Sequence, residues 1–289
     1  VTDPETTQRD CGLNPRVETF CMSFQSEAGK GTALADVQNS VDSRNIAIDR
    51  VGVRGVRYPI EVMERGGGLQ RTPGTFTLLV DLPEEYKGTH MSRFLEVLGE
   101  QTGPIGGDTI ARILGNLRSR LRSKSARLEV RFTLFREKAA PVTERVGMMA
   151  YECGFIGTTD PECPLQLLVV CPISTLCPCS KEISDYGAHN QRGYVTATIA
   201  PQGPLWFEDV IDMIEQSASA PLYPVLKRID EKFVTELAYD NPRFVEDVVR
   251  EVAIRFDRTA AIRSYQVEVE NHESIHDHNA YAYIQRTKA

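Results

Sequence analysis

The sequence predicts an α+β fold built from two tandem ββααββ units, with antiparallel sheets and paired helices on one face. Three observations carry this prediction. Segments that read as strands, most of them alternating apolar and polar residues, recur four times in residues 43–160 and four times in residues 161–289. Between the second and third segment of each half, apolar residues switch to the three- and four-residue spacing of a helix face. The order is the same in both halves, although they share no sequence identity that would prove a duplication.

Residues 1–42 have no sustained period and are rich in Thr, Ser, Asp, Gln and Gly, so they are expected to form an irregular arm that orders only against a neighbour. From Asn45 the character changes. Residues 46–62, IAIDRVGVRGVRYPIEV, alternate apolar and polar, RGGG at 65–68 breaks the run, and TFTLLVDLP resumes at 75. These predict two strands around a Gly-rich turn. Met91, Leu95 and Leu98 then mark one helix, and Ile110, Ile113, Leu114, Leu117 and Leu121 a second. Leu128, Val130, Phe132 and Leu134 alternate again, and VGMMAYECGFIG from Val146 supplies the partner strand. The basic run LRSRLRSKSAR from Leu117 is expected to be a solvated helix end, where cations complement the dipole.

In the second half PLQLLVVCPI and YVTATIAP predict strands on either side of a long cysteine-rich connection. Phe207, Val210, Ile211, Ile214 and Ala218 predict a helix. Asn241 and Pro242 are the expected N-cap and first-turn pair of another, with Phe244, Val245, Val248, Val249, Val252 and Phe256 as its apolar face. Tyr265, Val267 and Val269, then AYAYI from Ala280, supply the last two strands.

Composition narrows the function classes. At 289 residues and 41% hydrophobic content the chain can build sizeable cores. Its net charge of -7 offers no global attraction for nucleic acid or an anionic membrane, so neither is an expected partner. An anionic substrate would need a local basic pocket. No signal pattern opens the sequence, and the longest apolar run, near Leu165–Ile173, is too short to span a bilayer; a soluble, cytoplasmic protein is expected. Seven cysteines, an odd number, disfavour a disulfide framework and agree with a reducing compartment.

Two stretches concentrate the chemistry. In LCPCSKEISDYGAHNQR, residues 176–192, Cys177 and Cys179 flank a proline and His189 follows ten residues after the second thiol. A thiolate and an imidazole suit a borderline-soft divalent metal, with room for a carboxylate and a water. On a regular strand Cys177 and Cys179 point the same way only if the backbone turns, so one thiol is free for another task. A closed zinc knot of Cys171, Cys177, Cys179 and His189 is an alternative, as is a thiol nucleophile paired with histidine. Cys171 sits in an apolar strand and reads better as a small hydrophobe.

The second stretch, EVENHESIHDH at 268–278, holds three of the five histidines and is expected to meet the first in space. Glu268, Glu270 and His272 share one strand face, and Asn271 and Glu273 the other. Glu273, His276 and His278 fall where that strand should end, a good place for acid–base groups. Glu231 and Glu246 are, by themselves, ordinary solvated charges.

Together, CPCSKEISDYGAHNQR, KGTHMSRF, DEKFVTE, NPRFVEDVVR and ENHESIHDHNAYAY closely resemble GTP cyclohydrolase I of type B, from about residue 45 to the end. The resemblance implies the tunnelling fold, with two ββααββ units per subunit, and a homotetramer with active sites at its interfaces. It implies that Cys177, His189 and Glu231 hold one divalent metal (zinc, manganese or iron(II)) and that Glu246 anchors the guanine of GTP. It further implies that Cys179, Glu273 and His276 form the proton-transfer set. His90, Ser92, Arg93, Lys181 and Arg192 are candidates for the triphosphate by their chemistry. The implied reaction is hydrolysis of GTP at C8 with loss of formate, giving 7,8-dihydroneopterin triphosphate for tetrahydrofolate synthesis. Rival readings are an archaeal-type enzyme yielding a cyclic phosphate, a nitrile reductase of the same fold, and a zinc-stapled pterin- or nucleotide-binding module.

Overall fold

The computed structural model describes residues 36–38 and 40–288. The predicted arm, up to residue 35, and with it Cys11 and Cys21, lies outside the described residues. Val37–Ala289 form one compact unit.

Eight strands form a single antiparallel sheet in chain order: β1 (Ile48–Met63), β2 (Leu69–Leu82), β3 (Ala126–Ala139), β4 (Val146–Thr158), β5 (Leu165–Leu176), β6 (Asn190–Pro201), β7 (Ile262–His272) and β8 (Ala280–Thr287). Alternation explains them: along β2 the pattern puts Phe76, Leu78, Val80 and Leu82 into the core and turns their neighbours outward. Helices α1 (Met91–Gly99) and α2 (Gly107–Leu121) join β2 to β3, so the first half is ββααββ as predicted. One apolar core runs from these helices through β5–β7 to the helices of the second half.

The second half departs from that plan. The β5–β6 connection contains a short helix, α3 (Pro178–Ile183), and three helices precede β7: α4 (Phe207–Glu215), α5 (Arg228–Asp240) and α6 (Val245–Arg258). The sequence reading missed α5 because its apolar residues do not build a core face. Ile229 and Phe233 are 55% and 44% exposed, while Asp230 and Ala238 are its buried residues. Asp230 is buried as an acceptor: its carboxylate takes hydrogen bonds from the amides of Val142, Thr143 and Lys227 and from the Thr143 hydroxyl, tying the start of α5 to the β3–β4 turn. Two further expectations need correction. Asn241 is not the N-cap of α6; its side-chain amide donates to the Leu237 carbonyl at 3.1 Å and closes α5. The start of α6 falls at Phe244, whose N–H donates to the Asp247 carboxylate at 3.0 Å. In α1 the core face is Phe94, Val97 and Leu98, with Met91 and Leu95 exposed. The basic run behaves as expected: Arg118 and Arg120 occupy the last turn of α2, and Arg120 pairs with Glu100 at 2.6 Å.

Because neighbours are antiparallel, Met63, Ala139, Leu176 and His272 end their strands at one edge of the sheet, and Leu82, Thr158 and Pro201 end theirs at the other. At the Leu176 edge the two halves separate. Strand β4 pairs with β5 only from Glu152 to Gly157, and the upper rung of β5 bonds instead to Ser219 and Ala220: the Leu176 amide donates to Ser219 Oγ at 3.1 Å. Glu215 stitches this gap by accepting from Lys138 Nζ of β3 at 2.6 Å and from the Tyr151 hydroxyl of β4 at 2.7 Å.

Candidate active site

The β5–β6 hairpin opens just past the rung Leu176–Asn190, where the Cys177 N–H donates to the His189 carbonyl at 3.2 Å. Cys177 and His189 are therefore held opposite each other at the mouth of a hairpin. Pro178, at the first turn of α3, presets the helical φ and supplies the backbone turn that parts the two thiols. Cys177 is half-buried at the helix N-cap, and Cys179 is exposed two residues on. Ser180 clamps the mouth, its hydroxyl donating to the Cys177 carbonyl at 3.1 Å and receiving the His189 N–H at 3.2 Å.

The second dense stretch meets the first, as expected. Arg192 on β6 faces His272 on β7, and beyond it Ser274 Oγ lies 3.0 Å from Nδ1 of His189. The turn that carries Glu273 and His276 is closed by Asn279, whose amide donates to Glu270 at 2.7 Å, and the rings of His276 and His278 stack at 5.1 Å. Beneath the mouth the interior is polar: Thr175 donates to Gln191 at 3.1 Å, both buried, and Gly193 sits against buried Asn271. A Cβ on Gly193 would come within 2.4 Å of Asn271 Oδ1, so a glycine there lets β6 and β7 approach closely.

Glu246 reaches the same edge on the first turn of α6. The Arg243 N–H donates to the Leu176 carbonyl at 3.0 Å, which moors that turn one residue from Cys177. Glu246 is exposed, and its charge lies at the positive end of the helix macrodipole. Lys181 is engaged within the chain, donating to the Tyr239 carbonyl with its ammonium 4.3 Å from that ring.

Glu231 and the α1 residues do not join this group. Glu231 is exposed on the first turn of α5, eight residues and so about 12 Å along the helix from Tyr239. Among the described residues no three His, Cys, Asp or Glu side chains stand close enough to hold a metal ion. The hairpin mouth thus offers a thiol and an imidazole, donor types that suit a divalent metal such as zinc or iron(II), and no third donor stands beside them among the described residues. His90, Ser92 and Arg93 begin α1, which follows β2 from the opposite edge of the sheet, and Arg93 donates to the Arg120 carbonyl at 3.2 Å. Within one chain they do not approach Cys177.

The closed zinc knot is excluded as drawn. Cys171 is fully buried, burial pushes its thiol well above the ordinary value, and it lies six residues, about 20 Å, down β5 from Cys177. Cys153 is a second buried thiol raised by burial; both are core residues. A cavity of about 790 Å³ between the β1–β2 hairpin and α1 and α2 is lined by Tyr58, Phe76, Leu98 and Ile113, without cysteine or histidine. Sequence reasoning missed Ser180 and Ser274, which carried no signal beyond lying inside the two dense stretches.

The family model for type I GTP cyclohydrolase FolE2 matches residues 34–282. The chain belongs to this family. A GTP cyclohydrolase FolE2 of Nitrosococcus oceani is 47% identical over 256 residues, covering 88% of this chain and 96% of its own. Those of Kosmotoga olearia and Fervidobacterium nodosum are 48% and 50% identical over 89% and 86% of this chain, and 100% and 96% of theirs. Urate oxidase from Bacillus sp. TB-90 is a remote structural likeness, at 8% identity and a TM-score of 0.47 over 83% of this chain and 100% of that one. No helix among the described residues is long and apolar enough to cross a membrane.

Proposed function

We propose that this protein is a cytoplasmic GTP cyclohydrolase I that converts GTP to 7,8-dihydroneopterin triphosphate and formate, the first step of tetrahydrofolate synthesis. The observation that carries the reading is the meeting of the β5–β6 mouth with the β7–β8 turn at His189 and Ser274, beside the start of α6. It brings a thiol, imidazoles and carboxylates to one edge of the sheet in a member of this family, which supports the reading.

The residues divide the work by their chemistry. Glu246 offers two carboxylate oxygens to the guanine N1–H and 2-amino group, a charge-assisted pair of hydrogen bonds that fixes the base. Cys177, His189 and Glu231 would hold one zinc, manganese or iron(II) ion, which would supply the Lewis acidity needed to activate water for attack at C8. Glu273 and His276, on one short turn, deliver and remove protons as the ring opens and formate departs, with Cys179 as their neighbour. Lys181 and Arg192 supply positive charge at the same edge for the triphosphate. In a homotetramer of tunnelling-fold subunits, each of two tandem units, His90, Ser92 and Arg93 of a neighbouring copy complete that subsite. Glu231 joins Cys177 and His189 through the same assembly.

The test is product analysis. Protein supplied with GTP and each metal in turn should release one formate per GTP and yield a product with the mass of dihydroneopterin triphosphate. A cyclic phosphate would place it with the archaeal-type enzymes; intact GTP with every metal would defeat the reading.

A further inference from the structure

His189 is useful to a metal through only one of its ring nitrogens, and the structure distinguishes them. Nδ1 lies 3.0 Å from Ser274 Oγ, on the β7–β8 turn, while the backbone of His189 is fixed by its bonds with Cys177 and Ser180. A neutral imidazole has one N–H and one lone pair, and the hydrogen bond at one nitrogen decides which is which. We infer that Ser274 accepts the Nδ1–H of His189 and is thereby a positioning residue: it sets the tautomer that leaves the Nε2 lone pair free and holds the ring across the hairpin mouth. The inference rests on the proposed metal-dependent function. It adds a second consequence: Ser274 lies between Glu273 and His276 in sequence, so the same bond ties the β7–β8 turn to the ring of His189.

The experiment uses the full-length protein, stripped of metal and titrated with zinc against a competing chelator, in the wild type, Ser274→Ala and Ser274→Thr. In parallel, ¹⁵N-labelled histidine is used to read the ring tautomer, His189 being assigned with His189→Gln. Removal of an outer partner of a ligating histidine typically weakens metal binding by about 10–100-fold. Ser274→Ala should do so, while Ser274→Thr, which keeps the hydroxyl, should bind within about three-fold of wild type, by the same reasoning. Metal-free wild type should show His189 as the Nδ1–H tautomer, and Ser274→Ala should lose that preference. Wild-type affinity in Ser274→Ala, or an Nε2–H tautomer in the wild type, overturns the inference while leaving the metal site standing. Failure of the wild type to bind any divalent ion overturns the metal reading itself, and this inference with it.

Discussion

Glu215 is the most consequential buried charge outside the site, and its replacement tests how the two halves of the sheet are joined. Its carboxylate receives Lys138 Nζ on both oxygens at 2.6 Å and the Tyr151 hydroxyl at 2.7 Å, with side-chain exposures of 9% for Glu215 and 15% for Lys138. Burial, and then the Glu215 charge, pushes the Tyr151 phenol far above its ordinary value, so it stays a donor. Glu215→Ala leaves the Lys138 ammonium buried with no countercharge, a loss of about 3–5 kcal/mol when one member of a buried pair is removed. In a chain of 289 residues, at about 2.1 cal/mol/K of unfolding entropy per residue, that corresponds to a fall in Tm of roughly 5–8 °C. Calorimetry at matched protein concentration reads it directly, since any assembly makes Tm concentration-dependent. The cause is separated from simple loss of contact by Lys138→Met combined with Glu215→Leu, which removes both charges and should recover part of the stability, the buried Tyr151 hydroxyl still lacking its acceptor. A Glu215→Ala protein within about 1 kcal/mol of wild type, the range of an exposed pair, would refute the reasoning. So would a double variant no better than the single one.

Other outcomes follow from the same geometry. On the proposed guanine-anchoring role, Glu246→Ala would remove two charge-assisted hydrogen bonds of about 1.5–3 kcal/mol each, so kcat/KM for GTP should fall by about 10²-fold or more with zinc content unchanged. His276→Ala should slow formate release by about 10²–10⁴-fold while GTP binding, measured by calorimetry, persists. Burial alone would raise the Asp230 carboxyl, but the hydrogen bonds from the Thr143 side chain, the Thr143 amide and the Lys227 and Val142 amides hold it down at about 2. A depressed carboxyl stabilises the folded state above its unfolded value of about 4 and loses that contribution as pH falls toward the folded value. Wild-type Tm should therefore drop between about pH 4 and 2 by more than that of Asp230→Asn, which should already be less stable at neutral pH.

Much of the fold was legible because strands of a half-buried sheet declare themselves by a period of two, as β2, β3, β6 and β7 do, while β5 declares itself as a short apolar run between turn signals. What was lost were features set by context. The apolar residues of α5 look outward, so no stripe announced the helix; Met91 and Leu95 matched a helical spacing that the core does not use. Asn241–Pro242 is a sound start signal, but the Asn241 side chain was taken by the preceding helix. The convergence of the two dense stretches was legible because adjacent strands β6 and β7 had to bring residues 189–192 beside 272–274. The serines that bind the site together were not, since a serine gives no sign in sequence of which backbone or ring it will reach. Glu231, Glu246 and the α1 group depend on the third dimension: Glu246 is carried to the site by the Arg243–Leu176 bond, whereas Glu231 and His90 lie elsewhere in the chain.

The central claim is that the hairpin mouth and the β7–β8 turn hydrolyse GTP, and the most direct measurement is formate released from [8-¹⁴C]GTP. It should be followed in metal-stripped protein before and after addition of zinc, manganese or iron(II), alongside His189→Ala. One labelled formate per GTP in the reconstituted wild type, and none in His189→Ala, is the predicted result. Undiminished release from His189→Ala would place the chemistry elsewhere on the chain, and no release from folded wild type with any of the three metals would contradict the claim outright.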